Sequence, residues 1–250
     1  AGAGATPTAG SVKIDGANLG SALAGSLAVT RLSANTAAGF SVAKFSGSSA
    51  DPKSMAHGLS QAPDLIITKQ LTDTFNWKVG SSTFTSWSYI MELNTVIAEE
   101  EAAGVYNGQA PTSTVWYAST EGGTGASGKD YVTYCFHSVE GYSKVGTYTG
   151  NLNADGPFEY TGFSPAFVMR KPLAAGAWSM TDNKRIPYNV HDKPLYANNT
   201  NSEPGGAGDQ IDLVSNGFKV RTSDAGTNPS AAVMIYIAFA ESPFKYSTAR

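Results

Sequence analysis

A chain of 250 residues with 41% hydrophobic and 11% aromatic content has the material for a sizeable core, which sets it apart from disordered sequences. Its formal charge of −3, single Cys and 15% charged residues exclude a disulfide framework, a multi-Cys zinc site and the basic footprint of a nucleic-acid binder. No run approaches the ~18 apolar residues of a membrane span, no basic start leads into an apolar stretch as in a signal peptide, and abundant Gly, Ser, Thr and Asn point to many turns under a hydroxyl-rich surface.

Residues 1–38 begin with the small-residue string AGAGATPTAG, which has no periodicity and reads as an extended or flexible arm. Within it Ser11-Val12-Lys13-Ile14 and Leu27-Val29-Arg31 alternate polar and apolar residues, but each run is too short to fold alone. The arm is therefore expected to be stabilised by packing on a body domain or against copies of itself.

From Gly39 onward the sequence overlays itself. GFSVAKFSG at 39–47 resembles GYSKVGTYTG at 141–150, and QAPDLIITK at 61–69 matches SPAFVMRK at 164–171. Gly39 and Gly141 lie 102 apart, as do Pro63 and Pro165; Trp77 and Trp178 lie 101 apart, and Phe136 and Phe239 lie 103 apart. Anchors in one order at nearly constant spacing predict two tandem copies of one unit, 39–140 and 141–250. The period is too long for a stacking solenoid.

Each copy reads as strands. Asp64–Thr68 and Ala166–Met169 are short apolar runs bounded by Pro and basic residues; Tyr131–Phe136 and Val233–Phe239 are rich in β-branched and aromatic residues. Gly217–Thr222 alternates cleanly, and Asn107-Gly108, Asp155-Gly156 and Asn216-Gly217 mark turns. One helix is predicted over Val96–Ala103, ended by Gly104, with Glu99-Glu100-Glu101 on its wet face. The helices of 10–15 residues that a parallel α/β fold needs are missing. The expected fold is all-β: two similar, jelly-roll-like β-sandwich units behind an extended N-terminal arm.

Candidate chemistry is sparse. His57, His137 and His191 lie in turns or at a strand end and read as solvated or capping residues; His137 stands where the second copy has Ala240. Ser is plentiful, but no G-x-S-x-G elbow accompanies it. The carboxylates Glu92, Glu99, Glu100, Glu101, Glu121, Glu140, Asp155, Glu159, Glu203, Asp212 and Glu241 fit no recognisable acid–base motif for glycoside cleavage. Asn151-x-Asn153-x-Asp155-Gly156 has the spacing of a calcium loop, but its first position is neutral and Gly162 occupies the place of the closing Glu, so an Asx-rich turn is expected. Cys135 reads as a small buried hydrophobe. Trp77, Trp87, Trp116 and Trp178 could stack on sugars, yet the equivalence of Trp77 and Trp178 favours core positions.

The strings SANTAAGFSV, HGLSQAPDLIITK, APTSTV, YCFHSVEGYSKVGTYTGN, DGPFEYTGFSPAFVMRK, SNGFKVRTSDAG and YIAFAESPFKY together resemble a domain that recurs in virion structural proteins of tailed bacteriophages. The resemblance spans about residues 33–250 and implies a particle component, described as tail-fibre, tail-associated or minor structural protein and often found in aquatic phages. It brings no catalytic, cofactor-binding or metal-binding residue, and His137-Ser138, where Ala-Glu is commoner, weighs further against a shared active site. The expected protein is non-enzymatic, sits on the virion surface and forms a homo-oligomer. A trimer is suggested by the resemblance to fibres. Its expected partners are other virion proteins, with a host surface glycan as a candidate contact and neither nucleic acid nor a membrane span involved. A spike depolymerase with an unassigned carboxylate pair, or a head decoration protein, are the alternatives.

Overall fold

A computed structural model describes residues 4–203 and 208–242, and within them the protein is all-β. The chain divides into two compact units, Ala1–Glu92 with Glu100–His137, and Leu93–Glu99 with Ser138–Arg250. The ends of the expected arm and of the second expected copy, residues 1–3 and 243–250, lie outside the described residues.

The first unit contains β1 (Val12–Ile14), β2 (Ala17–Asn18), β3 (Val29–Asn35), β4 (Phe40–Ser46), β5 (Lys53–Ala56), β6 (Leu65–Gln70), β7 (Lys78–Ser81), β8 (Tyr89–Glu92), β9 (Glu100–Glu101), β10 (Val115–Ala118) and β11 (Asp130–Phe136). Nine of these form one sheet in the order β2-β1-β3-β4-β11-β6-β7-β8-β9, and β10 pairs with β5 in a second. Period-2 patterning decides which side each residue faces: Ser41, Ala43 and Phe45 on β4 are buried while Val42 and Lys44 are only partly so, and β11 buries Tyr131, Thr133 and Cys135 in the same rhythm. Between the sheets Phe45 stacks on Tyr131 at 5.1 Å and meets the edge of Trp116 at 5.6 Å. Tyr106 extends this aromatic core, lying 6.0 Å from both Trp116 and Trp87, and its hydroxyl donates to the Lys78 carbonyl at 2.9 Å. A buried Tyr needs such an acceptor for its O–H.

Two expectations are corrected here. The N-terminal segment is not an extended arm: β1 pairs in parallel with β3, and β3 pairs antiparallel with β4, so the segment forms one side of the large sheet. Val12, Val29 and Leu32 are buried there, and Asp15 closes the junction by accepting the amide and the hydroxyl of Thr36, both at 2.7 Å. The parallel β1–β3 pairing joins residues about twenty apart, which local patterning does not reveal. The helix over Val96–Ala103 does not form either. Two turns of helix nucleate poorly in isolation, and Glu100 and Glu101 instead pair with Ile90 and Tyr89. Residues 93–99 belong to the second unit, where the Glu99 amide donates to the Leu173 carbonyl at 2.6 Å.

The second unit contains β12 (Ser143–Thr149), β13 (Phe158–Tyr160), β14 (Pro165–Pro172), β15 (Ser179–Asp182), β16 (Leu195–Tyr196), β17 (Ile211–Val214), β18 (Gly217–Val220) and β19 (Val233–Ala240). A five-stranded sheet, β12-β19-β14-β15-β16, faces a three-stranded one, β13-β18-β17. Tyr148, Val168, Met234, Tyr236 and Ala238 from the first meet Ile211, Phe218 and Val220 from the second, a sandwich core. Phe218 and Tyr236 pack edge to face at 5.1 Å.

The pairing order β4-β11-β6-β7 recurs as β12-β19-β14-β15, and in both units the strand that follows the first of this set in the chain, β5 or β13, pairs with the strand before the last, β10 or β18. Phe136 lies opposite Leu65, two residues past Pro63; Phe239 lies opposite Phe167, two residues past Pro165. The turn before the last strand recurs as well. Ser119 Oγ accepts the Glu121 amide and Glu121 accepts the Gly123 amide, at 3.2 and 3.0 Å. Each is matched 103 residues later: Thr222 accepts the Asp224 amide at 3.0 Å, and Asp224 accepts the Gly226 amide at 2.8 Å.

Candidate binding site

The loop between β15 and β16 leaves the sheet at Asp182 and is braced at both ends. Asp182 accepts the amides of Lys184 and Arg185 at 2.9 and 3.0 Å and the Arg185 Nε at 2.6 Å. Burial acts to raise the Asp182 pKa, but Arg185 and the two amides outweigh it and hold the carboxylate below its ordinary range. Arg185 then donates to the Lys193 carbonyl at 2.6 Å and to Glu203 at 2.7 Å, tying the loop's start to its end. Further on, the Asn189 side chain imitates a strand partner, donating to the Leu213 carbonyl and accepting the Leu213 amide, both at 3.0 Å. His191 exchanges backbone hydrogen bonds with Ile211. Between these clamps Tyr188 stands 79% exposed.

Beside Tyr188 lies a cavity of about 490 Å³, lined by Asn183, Lys184, His191 and Glu241 among others. Lys184 and Glu241 oppose each other at 3.5 Å. His191 is 4% exposed, and its Nδ1 has no hydrogen-bond partner; the buried Oδ1 of Asn183 has none either. Burial pushes the His191 pKa down despite the pull of Asp212 and Asp182, so the ring is neutral at pH 7. The site thus offers an exposed ring beside a mostly polar wall, with one cation already offset by an anion.

A second cavity of the same unit, about 290 Å³, adjoins Asp209, Tyr196, Ser179 and Asp224. The less exposed carboxylate of the two, Asp209, is fully engaged. Asp209 receives the fully buried Arg170 at 3.5 Å, Ser179 Oγ at 3.0 Å, the Tyr196 hydroxyl at 2.5 Å and the Thr227 hydroxyl, while Arg170 also donates to the Asp209 carbonyl at 2.9 Å and to Thr181 at 3.0 Å. Burial raises the Asp209 pKa, but Arg170 and the hydroxyls of Thr227, Tyr196 and Ser179 more than reverse it. An acid held ionised in this way cannot give a proton to a leaving group at neutral pH, which glycoside cleavage demands of one carboxyl.

Of the candidate residues considered in the sequence, His191 and Glu241 line the first cavity and the others fall elsewhere. Glu92 is buried and bound by Lys78 and Asn76, both at 2.6 Å; Asp155 pairs with Lys219 at 2.7 Å, Asp212 with Arg221 at 3.3 Å, and Glu121 holds its own turn. Burial raises the pKa of Glu159, but it sits on β13 opposite Phe218 and lines neither cavity of this unit. The Asn151–Gly156 segment is an Asx turn: Asn151 accepts the Asn153 amide at 3.0 Å, and Asn153 accepts the Asp155 amide at 2.9 Å. Cys135 is buried and its thiol pKa is pushed up by desolvation. The histidines are not solvated, since all three are buried, while the capping role holds for His57. His57 accepts the Leu59 amide at Nδ1 and meets the Thr112 carbonyl through Nε2, both at 3.1 Å. Trp87, Trp116 and Trp178 are core residues, whereas Trp77 is half-buried and stacks on Tyr134 at 6.3 Å, so its equivalence to Trp178 does not extend to burial. Tyr188, Asn183 and Asp209 carried no motif in the sequence; the one local signal was the run of polar and turn residues between Asp182 and Glu203.

Residues 11–243 match the family described as a domain of unknown function (DUF7483), and the chain belongs to that family. No curated protein and no solved structure is similar to it.

Proposed function

We propose that this member of the DUF7483 family is a non-enzymatic structural protein of a tailed-bacteriophage particle, a fibre or spike component at the virion surface that contacts a host glycan. The observation that carries the reading is the resemblance of residues 33–250 to a recurrent virion domain. It is supported by the all-β sandwich build, the near-neutral hydroxyl-rich composition, and a carboxylate at the Asp209 cavity that is held ionised instead of poised as an acid. In the same reading the two units are copies of one ancestral sandwich, supported by the shared pairing order and by the turn contacts that recur 103 residues apart. Assembly into a homo-oligomer, a trimer by analogy with fibres, completes it.

Mass spectrometry and antibody labelling of purified particles test the proposal. The chain is expected in several copies per particle with label on the tail. Label confined to the head would make it a decoration protein, and absence from particles would overturn the reading. Incubation with host polysaccharide should release no reducing ends; release abolished by one Asp or Glu substitution would establish the depolymerase instead.

A further inference from the structure

We infer that the groove on the outer face of the first unit's large sheet, between β1, β3 and β4, binds an oxyanion, the carboxylate or sulfate of an acidic glycan. The charges in the groove assign the anion. That a glycan carries it rests on the glycan-contact reading above, to which this adds a location and a ligand class.

Strand register gathers three cations there. Lys13 of β1 lies opposite Ser33 of β3, and Ser33 opposite Val42 of β4; two residues back along β3, Arg31 lies opposite Lys44, and Lys44 opposite Val132 of β11. Paired residues share a face, and this is the outer one: Val12, Leu32 and Ala43 are buried, whereas Lys13, Arg31 and Ser33 are exposed. Opposed side chains leave their strands about 5 Å apart and diagonal ones about 7–8 Å apart, so three long cationic side chains reach one point beside the Ser33 hydroxyl. The place of Arg31 depends on a β-bulge. Val29 lies opposite Phe45 and Arg31 opposite Lys44, so Thr30 is an extra residue in β3, and its hydroxyl donates to the Lys44 carbonyl at 3.0 Å. Without that residue Arg31 would turn to the buried side and Leu32 to solvent. The bulge thereby sets two like charges directly across from each other, an arrangement that opposes folding. An anion between them reverses the repulsion.

The acids at hand are engaged. Asp130 takes Lys44 at 2.8 Å and the Ser46 hydroxyl at 2.5 Å, and Asp15, just past β1, is held by Thr36. Lys13 and Arg31 have no carboxylate partner among the described residues. Arg31 brings a planar fork that matches a carboxylate or sulfate, and Lys13 a point charge. The groove holds about 360 Å³, room for one acidic sugar, and Val42 and Val132 line it with aliphatic surface for the C–H side of a ring. Three cations are too few for a nucleic-acid track, and a chain with 17 Lys and Arg against 20 Asp and Glu repels a long polyphosphate.

The test is a titration of the intact chain followed by amide NMR shifts, with tetragalacturonate and a sulfated carrageenan tetrasaccharide as acidic probes and maltotetraose as the neutral one. At least one acidic probe should shift the amides of Lys13, Arg31, Ser33 and Lys44 and bind more weakly as salt rises, while maltotetraose should leave them in place. Arg31→Gln should weaken binding about fivefold and Lys13→Gln about threefold. Neither should lower the melting temperature, because both side chains are exposed and Arg31→Gln removes a like-charge pair. Lys193→Gln, at an exposed lysine of the second unit, changes net charge equally and should bind as the parent does. Failure of both acidic probes, equal binding of maltotetraose, full binding by the double variant Lys13→Gln/Arg31→Gln, or an equal loss in Lys193→Gln overturns the inference. So does tighter binding of a DNA tetranucleotide, which would make the groove a phosphate site. The outcomes separate the two claims: particle incorporation with host-polysaccharide binding that survives the double variant removes only the groove, whereas acidic-glycan binding there by a chain absent from particles removes only the virion reading.

Discussion

Lys171 is fully buried, and its Nζ reaches only the carbonyls of Pro172 and Ala174, at 3.4 and 3.3 Å. Desolvation lowers its pKa from 10.5 to about 8. Between those two values the unfolded chain holds a proton that the folded chain has released, so stability should rise with pH across that window. Lys171→Met keeps the volume and removes the buried charge. It is expected to stabilise the protein by about 2 kcal/mol at pH 7, a gain that fades as pH climbs towards 10.5. Urea unfolding at pH 7 and pH 10 measures both; a less stable variant at pH 7 would mean that the carbonyl contacts outweigh the burial. Such residues are hard to read in a sequence. Lys171 follows an apolar run that was legible as a strand, but nothing local tells that the ammonium is enclosed. The histidines misled for the same reason: AHGLSQAP and YNVHDK are polar in sequence, while in space His57 and His191 are covered by residues from distant strands.

At the scale of elements, the strands with the clearest apolar or alternating pattern, β6, β11, β14, β18 and β19, were legible, because burial on a sheet imposes a period the sequence must carry. The short β1 was legible as an alternating run that needs a partner, though not which partner, while β9 was read as helix because its pairing lies elsewhere in the chain. The turn following β4 and β12 gives a sharper test. Gly47 and Gly150 are 103 residues apart and donate to Lys129 and Ala232 at 2.8 and 3.0 Å. A Cβ on Gly47 would lie 2.1 Å from the Ala126 carbonyl oxygen, and one on Gly150 would lie 2.0 Å from that of Pro229. Both clashes are with backbone, so Gly47→Ala and Gly150→Ala should each cost about 3 kcal/mol. Opposite them, Gly128 has φ +72° while its counterpart Ala231 holds φ +51°, a conformation that strains a residue bearing a Cβ. Ala231→Gly is therefore expected to raise stability by about 0.5–1 kcal/mol. Chemical denaturation of the three variants checks the set; equal tolerance of alanine at position 47 and intolerance at position 150 would argue against a shared design.

For the molecule as a whole, the N-terminal strands bear on assembly. Their apolar residues would be a natural seam between subunits only if their own chain left them bare, and it does not: Val12, Val29 and Leu32 are 1%, 1% and 4% exposed. Deleting residues 1–38 should thus do more than dissociate an oligomer. Removing three buried aliphatic side chains and three strands forfeits about 5 kcal/mol or more of burial, a large share of the ~5–15 kcal/mol that stabilises a domain. The truncated chain is expected to lose the near-ultraviolet dichroism and cooperative melting of the first unit, while light scattering gives the subunit number of the intact protein. A truncated chain that melts as sharply as the parent would show that these strands are peripheral. The cavity beside Tyr188 was the least legible feature at this scale. It draws on residues 164–165, 183–184, 187–189, 191, 213 and 241, a constellation that exists only after the sandwich has closed.

In both units the last strand in the chain is an interior strand of the sheet: β11 enters between β4 and β6, and β19 between β12 and β14. On the ribosome this imposes a waiting period. The flanking strands emerge with the gap between them unfilled until the closing strand arrives, about sixty residues after β6 and after β14. Non-local closure of this kind is slow and exposes edges to other nascent chains. Synthesis of many copies at once would make that interval the vulnerable stage of production. Translation halted before residue 130 should yield aggregates, and translation past residue 137 a protease-resistant first unit.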